Sequence, residues 1–275
     1  MIETDSERIV LGRQVDYSLR YDPGQLHPIP RKAGRAAAGI TLPAGFGHGE
    51  DIWNIYELSW LTASGRPVVA MAEVRVPWDS DCLIESKSLK LYCNSLNMTP
   101  FSGPEQVRET MVRDLSKAAG ARVGVTLTEP DRFSEIVVAE PKGTCLDDLN
   151  IGGFTYETDP DLLETGPETV REVLFTRLFR SCCPVTGQPD WATVGISYAG
   201  PRISQEGLLR YLVSYRGHQG FHEACVEKIH ADIASRCRPD ELEVFARFTR
   251  RGGIDINPVR STRPGPWPNI RDPRQ

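Results

Sequence analysis

The sequence predicts an α+β protein made of two similar modules, each an antiparallel sheet with a pair of helices on one face. Three observations lead there. A strand–strand–helix–helix–strand–strand order (ββααββ) is met twice, at 51–140 and at 169–260. Within it, period-two alternation gives way to apolar residues at helical spacing and then returns. Between the halves, residues 141–168 are rich in Asp, Gly and Thr, as a linker is.

Residues 1–50 are rich in Gly, Pro and Arg with little periodicity, and read as an irregular arm with a few short elements. Strands follow at 53–61 and 67–76; in the second, Val69, Met71 and Glu73 share one face and Ala70, Ala72 and Val74 the other. Leu89, Tyr92, Cys93 and Leu96 recur at helical spacing and predict a helix over 87–96. Ser102-Gly103-Pro104-Glu105 has the S-x-x-E form of a capping box and starts a helix running to about residue 119. Strands at 122–128 and 133–139 close the first module. In the second, strands at 173–180 and 192–199 precede helices at 205–215 and 221–236, and strands at 241–249 and 254–257 end it. The tail, 261–275, is extended and Arg-containing, and is expected along the surface or a neighbouring subunit.

Composition limits the function. Of the 275 residues, 40% are hydrophobic and 25% charged, ordinary for a soluble globular protein, and the formal charge of −5 gives no overall attraction to nucleic acid or anionic membrane. No apolar run approaches the roughly 20 residues of a spanning helix. The start, Met1 to Glu7, is acidic where a signal peptide would be basic and then apolar. Seven scattered cysteines, with no C-x-x-C pair and no zinc-site spacing, read as reduced and mostly buried thiols of a cytoplasmic enzyme that holds no metal. Neither a G-x-G-x-x-G after a strand nor a G-x-x-x-x-G-K-[ST] occurs, so a Rossmann or P-loop nucleotide site is not expected.

Four segments carry candidate chemistry. In Cys182-Cys183-Pro184-Val185-Thr186-Gly187-Gln188-Pro189-Asp190 a nucleophilic thiol and a carboxyl are joined by a turn. If both cysteines end a strand, their side chains point to opposite faces, one into the core and one into a cleft. Phe221-His222-Glu223 opens a helix, where Phe could stack on a planar ring and Glu could accept from ring N–H groups; an ordinary helix start explains the same letters. Glu85 follows an apolar pair and could be held in a cleft, with Ser86, Lys87 and Lys90 near phosphate, although taken alone the segment reads first as a plain amphipathic helix start with solvated lysines. Arg250-Arg251-Gly252-Gly253 suits close backbone approach to a phosphate, or is a turn with solvated arginines.

Together, Glu85-Ser86-Lys87-Ser88-Leu89-Lys90, Cys183-x-x-Thr186-Gly187-Gln188-Pro189-Asp190-Trp191, Phe221-His222-Glu223 and Arg250-Arg251-Gly252-Gly253 resemble the NADPH-dependent 7-cyano-7-deazaguanine reductases. The long, two-module form fits best, from about residue 10 to the tail. The resemblance implies a tunnelling fold (T-fold) in each half. It also implies reduction of a nitrile to a primary amine on the path to the queuosine base of tRNA. The substrate is then a free deazapurine base, with no direct contact to nucleic acid, and a homodimer is expected. By the same resemblance Cys183 is the nucleophile that forms a covalent thioimide, and Asp190 is the proton donor. Ile84, Glu85, Ser86, Phe221, His222 and Glu223 would hold the substrate, and Ser86, Lys87, Arg251 and Gly252 the NADPH. Lys87 and Arg251 come from different halves, which suggests a site at a module or subunit junction. Cys182 departs from the pattern, standing where a small polar residue such as Asn is expected, and reads as a bystander. A Cys-dependent amidohydrolase and a non-catalytic purine- or pterin-binding T-fold protein are the competing readings.

Overall fold

Residues 17–40 and 47–275 are described by the computed structural model, so the acidic amino-terminal stretch lies outside the described residues. The chain divides into two units: the first takes residues up to 33, 52–136 and 250–255, and the second takes 34–51, 137–249 and 256–275. The Arg250-Arg251-Gly252-Gly253 turn, placed by sequence in the second module, thus groups with the first unit.

Elements begin with β1 (Pro28–Pro30), α1 (Arg31–Ala37), β2 (His48–Leu61), β3 (Pro67–Pro77), β4 (Cys82–Ile84), α2 (Ser86–Leu96), α3 (Pro104–Ala119) and β5 (Gly124–Thr128). The first unit's strands lie in the order β5-β3-β2, and the short β1 pairs with β4. Along β3 the predicted alternation holds, with Ala70, Ala72 and Val74 buried and Val69 exposed. Leu89, Tyr92, Cys93 and Leu96 are all buried on α2. The capping box at α3 is displaced by one residue. Gly103 is the N-cap, and Ser102 donates its N–H (2.7 Å) and hydroxyl (2.9 Å) to Gln106, while Glu105 pairs with Arg108 instead. The strand predicted at 133–139 does not form. Pro130–Glu135 is a 3-10 turn, begun by a proline that has no N–H for a ladder and closed by the Arg132–Glu135 pair. Leaving aside the short β1–β4 pair, the first unit is therefore ββααβ, one strand short of the expected order.

Then come β6 (Thr144–Cys145), β7 (Thr165–Cys182), β8 (Pro189–Ile203), α4 (Gln205–Ser214), α5 (His222–Cys237), β9 (Glu241–Phe248) and β10 (Ile254–Ser261). From β7 onward the order is the predicted ββααββ, with strands lying β10-β9-β8-β7-β6. Strands β7, β8 and β10 run longer than their apolar stretches, because cross-strand hydrogen bonding continues through polar residues at their ends. One face of this sheet carries Leu174, Phe179, Ala192, Val194, Ile196, Tyr198, Val244 and Phe248. It packs on Leu208 and Leu212 of α4 and Val226, Ile229 and Ile233 of α5, forming the unit's core. On the other face an added Cβ at Gly195 would lie 2.1 Å from the Phe245 ring, so the strand needs a glycine where that ring crosses it. The carboxy-terminal tail is extended as expected and lies against its own unit. Trp267 donates to Glu243 (2.9 Å), Thr193 to Asp272 (2.6 Å), and Gln275 to the Phe248 carbonyl (2.8 Å) and Asn257 (2.7 Å).

Helix α5 is fixed by buried charge. Arg260, fully buried, reaches Glu227 and Asp51 at 2.8 Å each, and Arg35 closes on Glu227 through two bonds of 2.8 Å. Burial alone would raise the Glu227 carboxyl, but Arg260 and Arg35 outweigh it and hold it at about 2. Nearby His230 is pushed down to about 4, first by burial and then by the Arg260 charge, against a backbone bond at Leu242. Below the ordinary 6.5 the unfolded chain takes up a proton that the folded one resists, so this group costs stability as pH falls. About 3 kcal/mol should be lost between about pH 7 and pH 4 from His230 alone. Denaturation midpoints across that range should fall less steeply for His230→Gln than for the parent; equal slopes would remove His230 from the effect.

Candidate active site

The turn between β7 and β8 is closed by the main chain of Cys183. Its N–H donates to the Gln188 carbonyl (2.8 Å) and its carbonyl accepts from Gly187 (2.9 Å). Gly187 has φ 68°, in the left-handed region where a side chain is strained. Pro184 to Pro189 are exposed, while Cys183 itself is 5% exposed. Cys182 is buried too, so exposure alone does not separate the two thiols.

Cys182 has a structural part that its side chain does not suggest. Its N–H donates to the His218 carbonyl (2.8 Å) and its carbonyl accepts from Gly220 (3.1 Å), a parallel bridge to the segment leading into α5. One residue thereby fixes the strand that presents Cys183 to the loop that delivers Phe221, His222 and Glu223. The thiol of Cys182 only approaches the Arg216 carbonyl, at 3.8 Å.

Asp190, the second residue of β8, pairs with Ser181, and its side chain is 3% exposed. His222, the first residue of α5, places Nε2 3.4 Å from the Asp190 carboxylate. Its ring lies flat on Phe248, with centroids 3.8 Å apart and planes 7° apart. Phe221 is the half-buried N-cap and makes no side-chain capping bond, and Glu223 is buried in the first turn, where a helix favours a carboxylate. Sequence reasoning passed over Cys225, which shares the inward face of the same turn. Burial, then the charges of Asp190 and Glu223, push its thiol up to about 12 against the Ser181 hydroxyl, so it is a protonated core thiol at neutral pH. Its signal was its spacing, three residues after His222 on a helix.

The first unit supplies a second constellation. Glu85 is 1% exposed and N-caps α2, accepting from the N–H groups of Lys87 (2.9 Å) and Ser88 (2.7 Å). Each carboxylate oxygen keeps a further lone pair for a ligand N–H. Ile84 ends β4 with its side chain buried, so only its main chain can serve a polar ligand, while Ser86 and Lys87 form the half-buried first turn of α2. Lys90 meets the Arg250–Gly253 turn: a Cβ at Gly252 would lie 2.7 Å from its Nζ. Its ammonium is pushed down by burial and then by Arg251, with Glu85 and Glu57 opposing. Arg250 lies over the Tyr56 ring at 4.7 Å. Cations crowded at one glycine turn beside a helix N-terminus fit the phosphates of a dinucleotide. Among the described residues no group of three or more His, Cys, Asp or Glu could hold a metal ion, and no helix is long and apolar enough to cross a membrane.

A family model described as the N-terminal part of the nitrile reductase, 7-cyano-7-deazaguanine-reductase, matches residues 17–127, and one described as QueF-like protein matches 189–265. The NADPH-dependent 7-cyano-7-deazaguanine reductase of Desulfotalea psychrophila is 50% identical over all of both chains. This chain belongs to the 7-cyano-7-deazaguanine reductase family. A reductase of the same name from Azoarcus sp. is 51% identical over 94% of this chain and 92% of its own. That from Burkholderia lata is 48% identical over 98% and 99%. The family likeness thus spans both constellations, the Cys183–Asp190–His222 group in the second unit and the Glu85–Lys90–Arg251 group in the first.

Proposed function

We propose that this chain reduces the nitrile of 7-cyano-7-deazaguanine to a primary amine at the expense of NADPH. The observation that carries this reading is the closed Cys183 turn on the strand pair that also holds Asp190 against His222, in a chain 50% identical throughout to a reductase of that name. The nitrile carbon is electrophilic. The Cys183 sulfur adds to it, forming an S–C bond and opening one C≡N π bond, while the nitrogen takes the proton of the Asp190 carboxyl and the proton lost from the thiol replaces it there. The product of that step is a covalent thioimide. Bound NADPH supplies hydride, and nitrile-to-amine reduction takes two such equivalents with two further protons. The C–S bond breaks on the way and the Cys183 thiol is restored.

In the second unit Glu223 accepts from an N–H group of the deazapurine ring, Phe221 packs on its face and His222 lies beside it; in the first unit Ile84, Glu85 and Ser86 are the substrate-binding residues that the family resemblance implies. Ser86, Lys87, Arg251 and Gly252 hold the NADPH. The substrate is the free base, so the chain makes no direct contact with nucleic acid, and it works as a homodimer in the cytoplasm. Following nicotinamide absorbance with protein, nitrile and NADPH together tests the reading. Oxidation should depend on the nitrile and consume two NADPH per molecule; nitrile-independent or absent oxidation overturns it. Asp190→Asn should fold normally and turn over on the order of a hundredfold or more slower, the usual range for loss of a general acid.

A further inference from the structure

Histidines that must face one partner are ordinarily held by a hydrogen bond at the other ring nitrogen. His222 lacks this: among the described residues its buried Nδ1 has no hydrogen-bond partner, while Nε2 addresses Asp190 at 3.4 Å. Without a bond at Nδ1, rotation about the bond joining ring to Cβ is opposed only by what lies against the ring faces. What lies there is Phe248, coplanar within 7° at 3.8 Å, and itself 1% exposed at the end of β9. Phe248 is in turn held edge-on by Phe179 (6.1 Å, 85°), which packs on Tyr215 at 5.4 Å. The Phe248 carbonyl is tied to the Gln275 side chain at 2.8 Å. The ring under His222 is therefore one of the better-fixed groups in the second unit.

We propose that Phe248 is a positioning residue of this site: the face of its ring keeps the His222 imidazole in the orientation that presents Nε2 to Asp190. The inference rests on the nitrile-reductase reading, because it assigns to the His222–Asp190 pair the proton that the adding nitrile needs. Stacking also suits this task chemically. An aromatic face attracts a cation, so the contact persists whether the imidazole is neutral or protonated.

The test is the rate of covalent adduct formation with nitrile alone, read by quenching and intact mass, so that cofactor plays no part. Phe248→Leu should slow adduct formation on the order of tenfold and lower kcat in proportion, leaving KM for NADPH unchanged, since it weakens an acid without removing it. Phe248→Tyr keeps the flat face and should stay within about twofold of the parent. Phe248→Met, adaptable in a core, reads the same loss should the leucine variant not fold. Leu208→Ala opens the same core from α4, away from the aromatic row, and should lower the melting temperature while leaving the adduct rate within about twofold. A parent-like rate in Phe248→Leu, or equal slowing in Leu208→Ala, overturns the positioning role. Failure of the parent to form any adduct overturns the functional reading, and this inference with it.

Discussion

Replacing Cys183 by alanine should abolish nitrile reduction and, with it, the mass increment that nitrile alone adds to the protein. Cys183→Ser is the sharper comparison, because a hydroxyl is a far weaker nucleophile than a thiol at neutral pH and the shape of the turn is kept. The turn survives in both variants, since its two closing bonds, Cys183 N–H to Gln188 and Gly187 N–H to the Cys183 carbonyl, belong to the main chain. Stability should accordingly change little, and NADPH should bind both variants as it binds the parent. Cys182→Ala should retain both adduct and turnover, for the same reason applied to the neighbouring residue: its bridge to His218 and Gly220 is also main chain. An adduct that persists in Cys183→Ala and vanishes in Cys182→Ala would reverse the assignment of the two thiols.

Removal of Arg260 should produce a large loss of stability. The guanidinium is fully buried against Asp51 and Glu227, and its pKa is raised because those carboxylates outweigh the cost of burial. Arg260→Met would leave Asp51, itself 1% exposed, without that cation, and losing one member of a buried pair costs about 3–5 kcal/mol. Urea denaturation measures this directly. Arg263→Ala is the contrast: that side chain is 62% exposed where it meets Glu241, and its denaturation midpoint should match the parent's. A small shift for Arg260→Met would mean that Arg35 alone suffices to neutralise the cluster.

Much of this could be read from the chain itself, and the exceptions have physical causes. The second module was legible because its core strands alternate cleanly and α4 and α5 begin at recognisable residues, Ser204 capping α4 through a bond to Gly207 (3.2 Å). The missing strand at 133–139 was misread because Ile136, Val137 and Val138 look β-forming, yet Val137 and Val138 are exposed and no sheet face covers them. Glu85 was recognised as important but not as a helix cap, since the S/T/D/N preference at that position hides a glutamate doing the same job. The Cys182 bridge and the Phe248 stack were beyond reach. Both join residues separated by 26 or more positions through main chain or ring face, and nothing in local spacing encodes either contact.

Helix α5 cannot slip along its axis or turn by one residue without unpairing buried charge. Glu223 and Glu227 sit one turn apart on it, the first at the site and the second locked between Arg35 and Arg260. In the proposed reduction, oxidised cofactor leaves and a fresh one enters while the half-reduced ligand stays in the site. Such exchange demands give somewhere, and the helix proposed to hold the ligand is the wrong place for it. The exposed turn from Pro184 to Pro189 rests on a handful of its own hydrogen bonds and can breathe while both its ends stay paired. The charge cluster that first reads as a stability device is thus also what fixes the register of the helix that carries His222 and Glu223.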